Sequence, residues 1–397
     1  MQVVIKYFHH RFVNPLKQFI YDSRSIGIIL LSCTIISLLI SNIVSTKTIY
    51  LQLLEFNFLN SADTTNTFGL LSFPNTPLLF INDLLMTFFF FLAGMEIKRE
   101  LIVGELASLK NAVLPISAAI GGMIAPAIIF YILNYQTNFQ SGWGIPMATD
   151  IAFTLGVASL LGNKVPLSLK VFVTALAIID DLGAIIIIAL FYGVVIHFKY
   201  LILSTLIVLL ILLLNKILRK FSILQIILGI LLWYSTFHSG IHATVSGVIL
   251  AFCVPTNQLQ KYEHRLRIPV YFIILPLFVL ANTAIELPQN CLSYINNSLS
   301  WGIIAGLFLG KPMGICLVVF LMTQLKWASL PNAVSRLQLF GASVLCGIGF
   351  TMSIFVTTLA FESNAAINTG KIAILIASTL SMIVGYTILR IIKPKSV

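Results

Sequence analysis

Asp180 and Asp181 sit side by side in ALAIIDDLGAIIIIALFY, a stretch otherwise apolar enough to cross a membrane. An ionised carboxylate at the centre of a bilayer costs at least ~2.5–3.5 kcal/mol, so charged groups there face protein or water and are functional by default. Two side by side also repel one another. Neighbours on an α-helix point about 100° apart, so the two cannot share one ligand as residues four apart could. One can face an ion cavity while the other turns to a partner. A purely structural pair, neutralised by buried bases or kept protonated, would not need two carboxylates. The pair is therefore read as the binding site of a transported ion.

Asp150 follows Thr149 in GWGIPMATDIAFTLGV, where Pro146, Thr149 and Asp150 interrupt an apolar run. LCGIGFTMSIFVTTLAF is interrupted in a similar way at Gly347 and Gly349, with Thr351 and Ser353 following. Matched interruptions in two halves of a chain point to a transporter binding site, although glycine and proline are also common in ordinary membrane helices. If each span is two half-helices, exposed N–H ends carry partial positive charge, which Asp150 can offset. The same aspartate can be a plain N-cap, and the two roles coincide. Lys311, in GLFLGKPMGI, is read as the one basic residue well inside a span. A lone ammonium there needs a carboxylate or the carbonyls of a helix C-terminus. Asp180, Asp181 and Asp150 are the available acids, and about ten apolar residues on each side make snorkelling difficult.

Asp83, Glu96 and Glu100 belong to INDLLMTFFFFLAGMEIKREL, with both glutamates on one face at its basic end. Acidic groups at a funnel mouth raise local cation concentration; an interfacial charge cluster is the ordinary alternative. His242, in SGIHATVSGV, and Glu263 with His264, in the KYEHRLR loop, include the histidines that could sense pH. A lone histidine among small residues is as readily a satisfied structural one.

The elements that must position these groups follow from composition. Of 397 residues, 58% are hydrophobic and 9% charged, against roughly 25% charged in soluble domains. Apolar runs of about 20 residues recur from end to end, each long enough to span the hydrocarbon core as a helix. The alternation of a transmembrane barrel is absent. A net charge of +11 could suggest nucleic acid, but the placement of the charges accounts for it better. The basic N-terminal region runs through Arg24 and is too long for a cleavable signal. Cys33, Cys253, Cys291, Cys316 and Cys346 show no metal spacing, and only Cys291 falls in a loop, so no disulfide framework is expected.

Twelve spans are expected, near 26–45, 76–97, 112–133, 146–161, 167–192, 200–218, 223–238, 241–254, 268–285, 300–320, 337–360 and 371–391. With both ends in the cytoplasm, all but four of the 24 lysines and arginines fall on inside segments. Lys47, Lys199 and Lys371 fall outside, and Lys311 stays within a span. The positive-inside rule thus favours an even number of spans and cytoplasmic termini. The connection from Thr46 to Pro77 reads as an external hairpin, with IYLQLLEFNF and FGLLSF as strands about the turn Asn60-Ser61-Ala62-Asp63. No polar stretch is long enough for a soluble domain.

These stretches, together with AAIGGMIAPA and ILPLFVLANT, occur in the order of, and resemble, the bacterial NhaA-type sodium/proton antiporter family, which is known for inverted repeats with sites at the midplane. The resemblance covers nearly all spans from the second to the eleventh. It implies an all-α polytopic protein of twelve transmembrane helices, one transporter domain over 1–397, with inverted three-helix repeats within 112–192 and 300–391 and two interrupted helices crossing at the midplane. It implies that Asp180 and Asp181 bind sodium or lithium and protons, that Asp150 and Lys311 balance the facing half-helix ends, and that Thr149 lies beside the site. Lys311 is also implied as a partner of Asp180. Glu96, Glu100 and Glu263 match acidic positions linked to pH response, and Asp83 and His242 match further functional positions. Arg267 departs from the family, standing where a second histidine can occur. The 46–77 connection matches a hairpin used in dimer formation. The expectation is a multi-pass protein of the bacterial inner membrane with no cofactor and no nucleic-acid partner.

The chemistry expected is competition for one set of oxygens. A desolvated carboxylate has a raised pKa, whereas sodium or lithium requires the ionised form, so occupancy by proton and cation is mutually exclusive. Alternating access then couples their fluxes in opposite directions, serving sodium and pH homeostasis. An intramembrane aspartyl protease could draw on Asp150 and Asp181, but its Gly-x-Gly-Asp signature is missing. A passive channel would conduct without proton counterflow, and a symporter for an organic anion would show sodium-dependent solute uptake.

Overall fold

The computed structural model describes residues 23–58, 66–68, 71–193, 195–218, 221–287 and 296–392. The Asn60–Asp63 turn and Cys291 lie outside these. The described chain is helical apart from one small ribbon. Its helices are α1 (Ser23–Asn42), α2 (Val44–Glu55), α3 (Pro77–Ile102), α4 (Leu109–Leu133), α5 (Ile151–Leu160), α6 (Leu167–Phe191) and α7 (Phe198–Leu218). They continue as α8 (Ile223–Ser239), α9 (Val245–Cys253), α10 (Thr256–Asn282), α11 (Ser298–Gln324), α12 (Arg336–Leu345), α13 (Phe350–Ala360) and α14 (Asn364–Ile391). Among the described residues, nine helical segments are long and apolar enough to cross a membrane. A tenth is reached when α12 and α13, bent by 46° at their break, are taken as one span. This is a polytopic helical membrane protein.

Four sequence expectations are corrected. The segment IYLQLLEFNF does not form a strand: α2 runs through it, anchored where the Tyr50 hydroxyl donates to the Leu280 carbonyl at 2.7 Å. The ribbon is confined to β1 (Asn66–Phe68) and β2 (Leu71–Phe73), antiparallel with Asn66 opposite Phe73. The KYEHRLR cluster is not a loop either. It lies on α10, whose buried Leu259 and half-buried Tyr262 and Leu266 form an apolar stripe beneath a basic face. The eighth expected span shortens because Gly240, at φ +89°, ends α8 in the left-handed region that favours glycine. Helix therefore resumes only at Val245. Finally, Lys371 is not in an external loop. It lies two turns inside α14, 6% exposed, so Lys311 is not the only basic residue inside a span.

The interior is built around α6, most of which is buried, while α7 mostly faces outward. Helices α4 and α11 approach closely through small residues. A Cβ added at Gly314 would run into the Gly121 carbonyl. Such small-residue contacts let membrane helices pack backbone to backbone. Here they set the depth at which α11 carries Lys311.

Candidate ion-binding site

The two interrupted stretches lie against each other. A 3₁₀ segment, Gln140–Met147, precedes extended backbone at Ala148, and α5 starts after Asp150. On the other side, residues 346–349 separate α12 from α13. The Asp150 N–H donates to the Ile348 carbonyl at 2.7 Å, the Thr149 hydroxyl to the Cys346 carbonyl at 3.0 Å, and the Thr154 hydroxyl to the Leu345 carbonyl at 3.2 Å. These donors satisfy carbonyls that the end of α12 leaves free. In return the Ser353 hydroxyl donates to the Ile145 carbonyl at 2.8 Å. Each break thus supplies the polar partners that the other lacks.

Asp150 caps both half-helices. Its Oδ1 accepts from the Phe153 N–H at 3.0 Å in the first turn of α5. Its Oδ2 accepts from the Thr351 N–H at 3.1 Å and the Thr351 hydroxyl at 2.5 Å in the first turn of α13. One carboxylate is therefore spread over two positive helix ends. The plain N-cap and the charge-balancing role coincide in a single side chain.

Lys311 answers with the opposite charge. A π-helical turn over Ala305–Gly310 shifts the register of α11 just before it, a feature often found at functional sites. The fully buried ammonium donates to the Met147 carbonyl at the end of the 3₁₀ segment and meets Asp180 Oδ2 at 2.9 Å. The same oxygen accepts from the Thr149 hydroxyl at 2.7 Å. Asp180 is fully buried, and its Oδ1 has no hydrogen-bond partner among the described residues.

Asp181 faces elsewhere. It lines a cavity of about 20 Å³, room for about one water, whose polar wall is made by Glu96, Thr149, Asp150, Tyr271 and Thr351. Its Oδ1 also lacks a hydrogen-bond partner among the described residues. Adjacent positions on α6 thus give one aspartate tied to a lysine and one presented to a cavity. Among the described residues no three His, Cys, Asp or Glu side chains converge as metal ligands, so a cation held here would also need hydroxyl and carbonyl oxygens.

The remaining expected residues divide. Glu96 joins the cavity wall, and its Oε1 accepts from the Tyr271 hydroxyl at 3.4 Å. Glu100 and Glu263 meet instead at Arg99, at 3.0 and 3.1 Å. Asp83 and His242 meet each other at 3.4 Å, with the His242 Nδ1 against the Thr244 hydroxyl at 2.8 Å. Neither lines the Asp181 cavity. Sequence reasoning passed over Tyr271, for which a hydroxyl in an apolar run gave no signal, and it gave no role to Thr351 beyond marking the second interruption.

The comparisons agree with one another. The family model described as Na+/H+ antiporter 1 matches residues 17–389. A Na(+)/H(+) antiporter NhaA 1 of Clostridium beijerinckii is 46% identical over 395 residues, covering 96% of both chains. A Na(+)/H(+) antiporter NhaA of Flavobacterium psychrophilum is 45% identical over 380 residues, covering 94% of this chain and 95% of its own. A Na(+)/H(+) antiporter NhaA 1 of Klebsiella pneumoniae subsp. pneumoniae is 44% identical over 387 residues, covering 95% and 96%. With paired aspartates, a buried lysine and two mutually capped helix breaks in its interior, this chain belongs to the Na+/H+ antiporter 1 family.

Proposed function

We propose that this chain is a secondary antiporter that moves sodium (or lithium) out of the cytoplasm in exchange for protons, with Asp181 and Asp180 as the oxygens for which they compete. The observation that carries the reading is the asymmetry of the two aspartates. Asp181 presents an unpaired oxygen to a polar cavity, while Asp180 is held by Lys311 and Thr149. A cation entering the cavity takes carboxylate oxygen from Asp181 and hydroxyl or carbonyl oxygen from the breaks, the type of site built at discontinuous membrane helices. If it also draws on Asp180, it competes with the Lys311 ammonium for the same oxygen. A proton on either aspartate removes the charge that the cation needs. Exchange follows because the site cannot leave one side empty of both without burying uncompensated charge.

This reading includes twelve spans with both termini in the cytoplasm of a bacterial inner membrane. It also includes inverted repeats within 112–192 and 300–391, a role in sodium and pH homeostasis, and dimerisation through the 46–77 connection. Glu96, Glu100 and Glu263 are assigned to pH response or cation attraction at the basic end of α3, and Asp83 with His242 to the opposite end. An aspartyl-protease reading of Asp150 with Asp181 is disfavoured by geometry, since both Asp150 oxygens are engaged as helix caps.

The test is exchange in proteoliposomes loaded with a pH-sensitive dye. Asp181→Asn should insert normally and give no sodium-dependent pH change. Wild-type exchange by that variant would rule the assignment out.

A further inference from the structure

Among the described residues, Tyr271 is the one cavity-lining hydroxyl that belongs to neither helix break. It sits in a π-helical turn, Val270–Ile274, directly after Pro269. The extra residue in such a turn changes the direction in which the following side chains point, and these turns gather at functional sites. Here the turn accompanies a phenol on the wall that Asp181 also faces. Tyr271 donates to Glu96 Oε1 at 3.4 Å, near the loose limit of a hydrogen bond.

Glu96 and Tyr271 are also the polar lining residues closest to the basic end of the bundle. Helix α3 runs towards Lys98 and Arg99, and α10 runs away from its charged first turns. One turn beyond Glu96 on α3, Arg99 ties to Glu263 on α10 at 3.1 Å. Helices α3 and α10 are therefore joined by two successive polar contacts. The outer one is a salt bridge, and the inner one opens directly onto the Asp181 cavity.

We propose that Tyr271 and Glu96 form an inner gate, at which a cation arriving from the basic end displaces the phenol from Glu96 before passing to Asp181. This rests on the ion-binding role proposed for Asp181. In the closed arrangement the phenol O–H satisfies the carboxylate. When the cation arrives, the same carboxylate becomes its ligand and the phenol swings clear of it. Tyr271 is thus a positioning residue, acting through Glu96. A tyrosine serving only as packing would be replaced by phenylalanine without kinetic consequence, because the two differ by a single oxygen.

The experiment is sodium-dependent exchange by full-length protein in oriented proteoliposomes, with sodium presented on the side of the basic ends. Tyr271→Phe removes a contact that must break before entry, so its sodium KM should fall on the order of two- to tenfold, with a smaller change in maximal rate. In a Glu96→Gln background, Tyr271→Phe should have at most a small part of that effect, because the pair acts as a unit. Unchanged KM in Tyr271→Phe, or an equal effect with and without Glu96, overturns the gate. An Asp181→Asn control separates the two ideas. If it exchanges like wild type, the site falls and the gate with it; if it is inactive while Tyr271→Phe matches wild type, the gate alone falls.

Discussion

The Lys311 ammonium meets Asp180 Oδ2 at 2.9 Å with neither side chain exposed to solvent. Breaking a buried pair by removing one partner costs ~3–5 kcal/mol, because the other charge is left uncompensated. Lys311→Ala should therefore lower thermal stability in detergent, by less than that range if Asp180 takes up a proton. Exchange should begin at more alkaline pH, since a proton must now leave a carboxylate that has lost its counter-charge. Adding Asp180→Asn to Lys311→Ala should restore part of the melting temperature. Failure of the second substitution to recover any stability would mean that the pair is not an energetic unit.

Thr351 and Asp150 give a second, separable prediction. Thr351→Val removes the hydroxyl donor and keeps the Thr351 N–H on Asp150 Oδ2. A hydrogen bond to a charged acceptor contributes about 1.5–3 kcal/mol, so the loss should be visible in thermal unfolding. Asp150→Ala removes the caps of both α5 and α13 and should cost more than Thr351→Val. Equal melting temperatures for the two variants would argue against one carboxylate serving two helix ends.

Charge in an apolar run is an energetic anomaly that one sequence exposes, which is why Asp150, Asp180, Asp181 and Lys311 were legible in the sequence alone. Helix geometry gave the direction each aspartate faces only as an inequality, because a 100° step says that they differ and not which meets the lysine; the family resemblance named Asp180, and the 2.9 Å contact agrees. Tyr271 was hidden, since its role depends on a π turn and on what α3 brings opposite. The Met147, Cys346 and Ile348 carbonyls were hidden for a similar reason: backbone acceptors carry no side-chain signature. Helix α2 was misread because aromatic and branched residues favour strands only where a pleated surface is there to receive them. The start of α10 was misread because its polar face outweighed its apolar stripe. Lys371 was placed outside because Asn364–Gly370 is rich in small and polar residues, yet these begin α14.

Arg99 predicts an ionic-strength effect. Its side chain is 41% exposed and holds Glu100 and Glu263 together, so solvent screens part of what its removal costs in stability. Arg99→Gln leaves two carboxylates without the cation between them, which should draw sodium towards this end of the bundle. At low ionic strength its sodium KM should fall about twofold by this electrostatic focusing. Near 1 M salt, where the screening length is ~3 Å, wild type and variant should converge. A KM difference that survives high salt would point to a direct packing effect of the arginine instead.

Gly314 tests how the scaffold positions the site. A Cβ at this position would meet the Gly121 carbonyl and the Ala125 side chain on α4. The first of these is backbone and cannot swing away, so Gly314→Ala must push α11 from α4. Overpacking of this kind typically costs ~1–3 kcal/mol. The displacement also reaches Lys311, three residues earlier on the same helix, whose ammonium must meet both the Met147 carbonyl and Asp180. Gly314→Ala should therefore lose stability and shift the pH profile of exchange in the direction of Lys311→Ala, although it alters no ionisable group. Met313→Ala, at an exposed position on the neighbouring face of α11, is the control and should leave that profile in place. If Gly314→Ala lowered the melting temperature while its pH profile stayed at wild type, the close approach of α4 and α11 would serve packing alone, with no part in aiming Lys311 at Asp180.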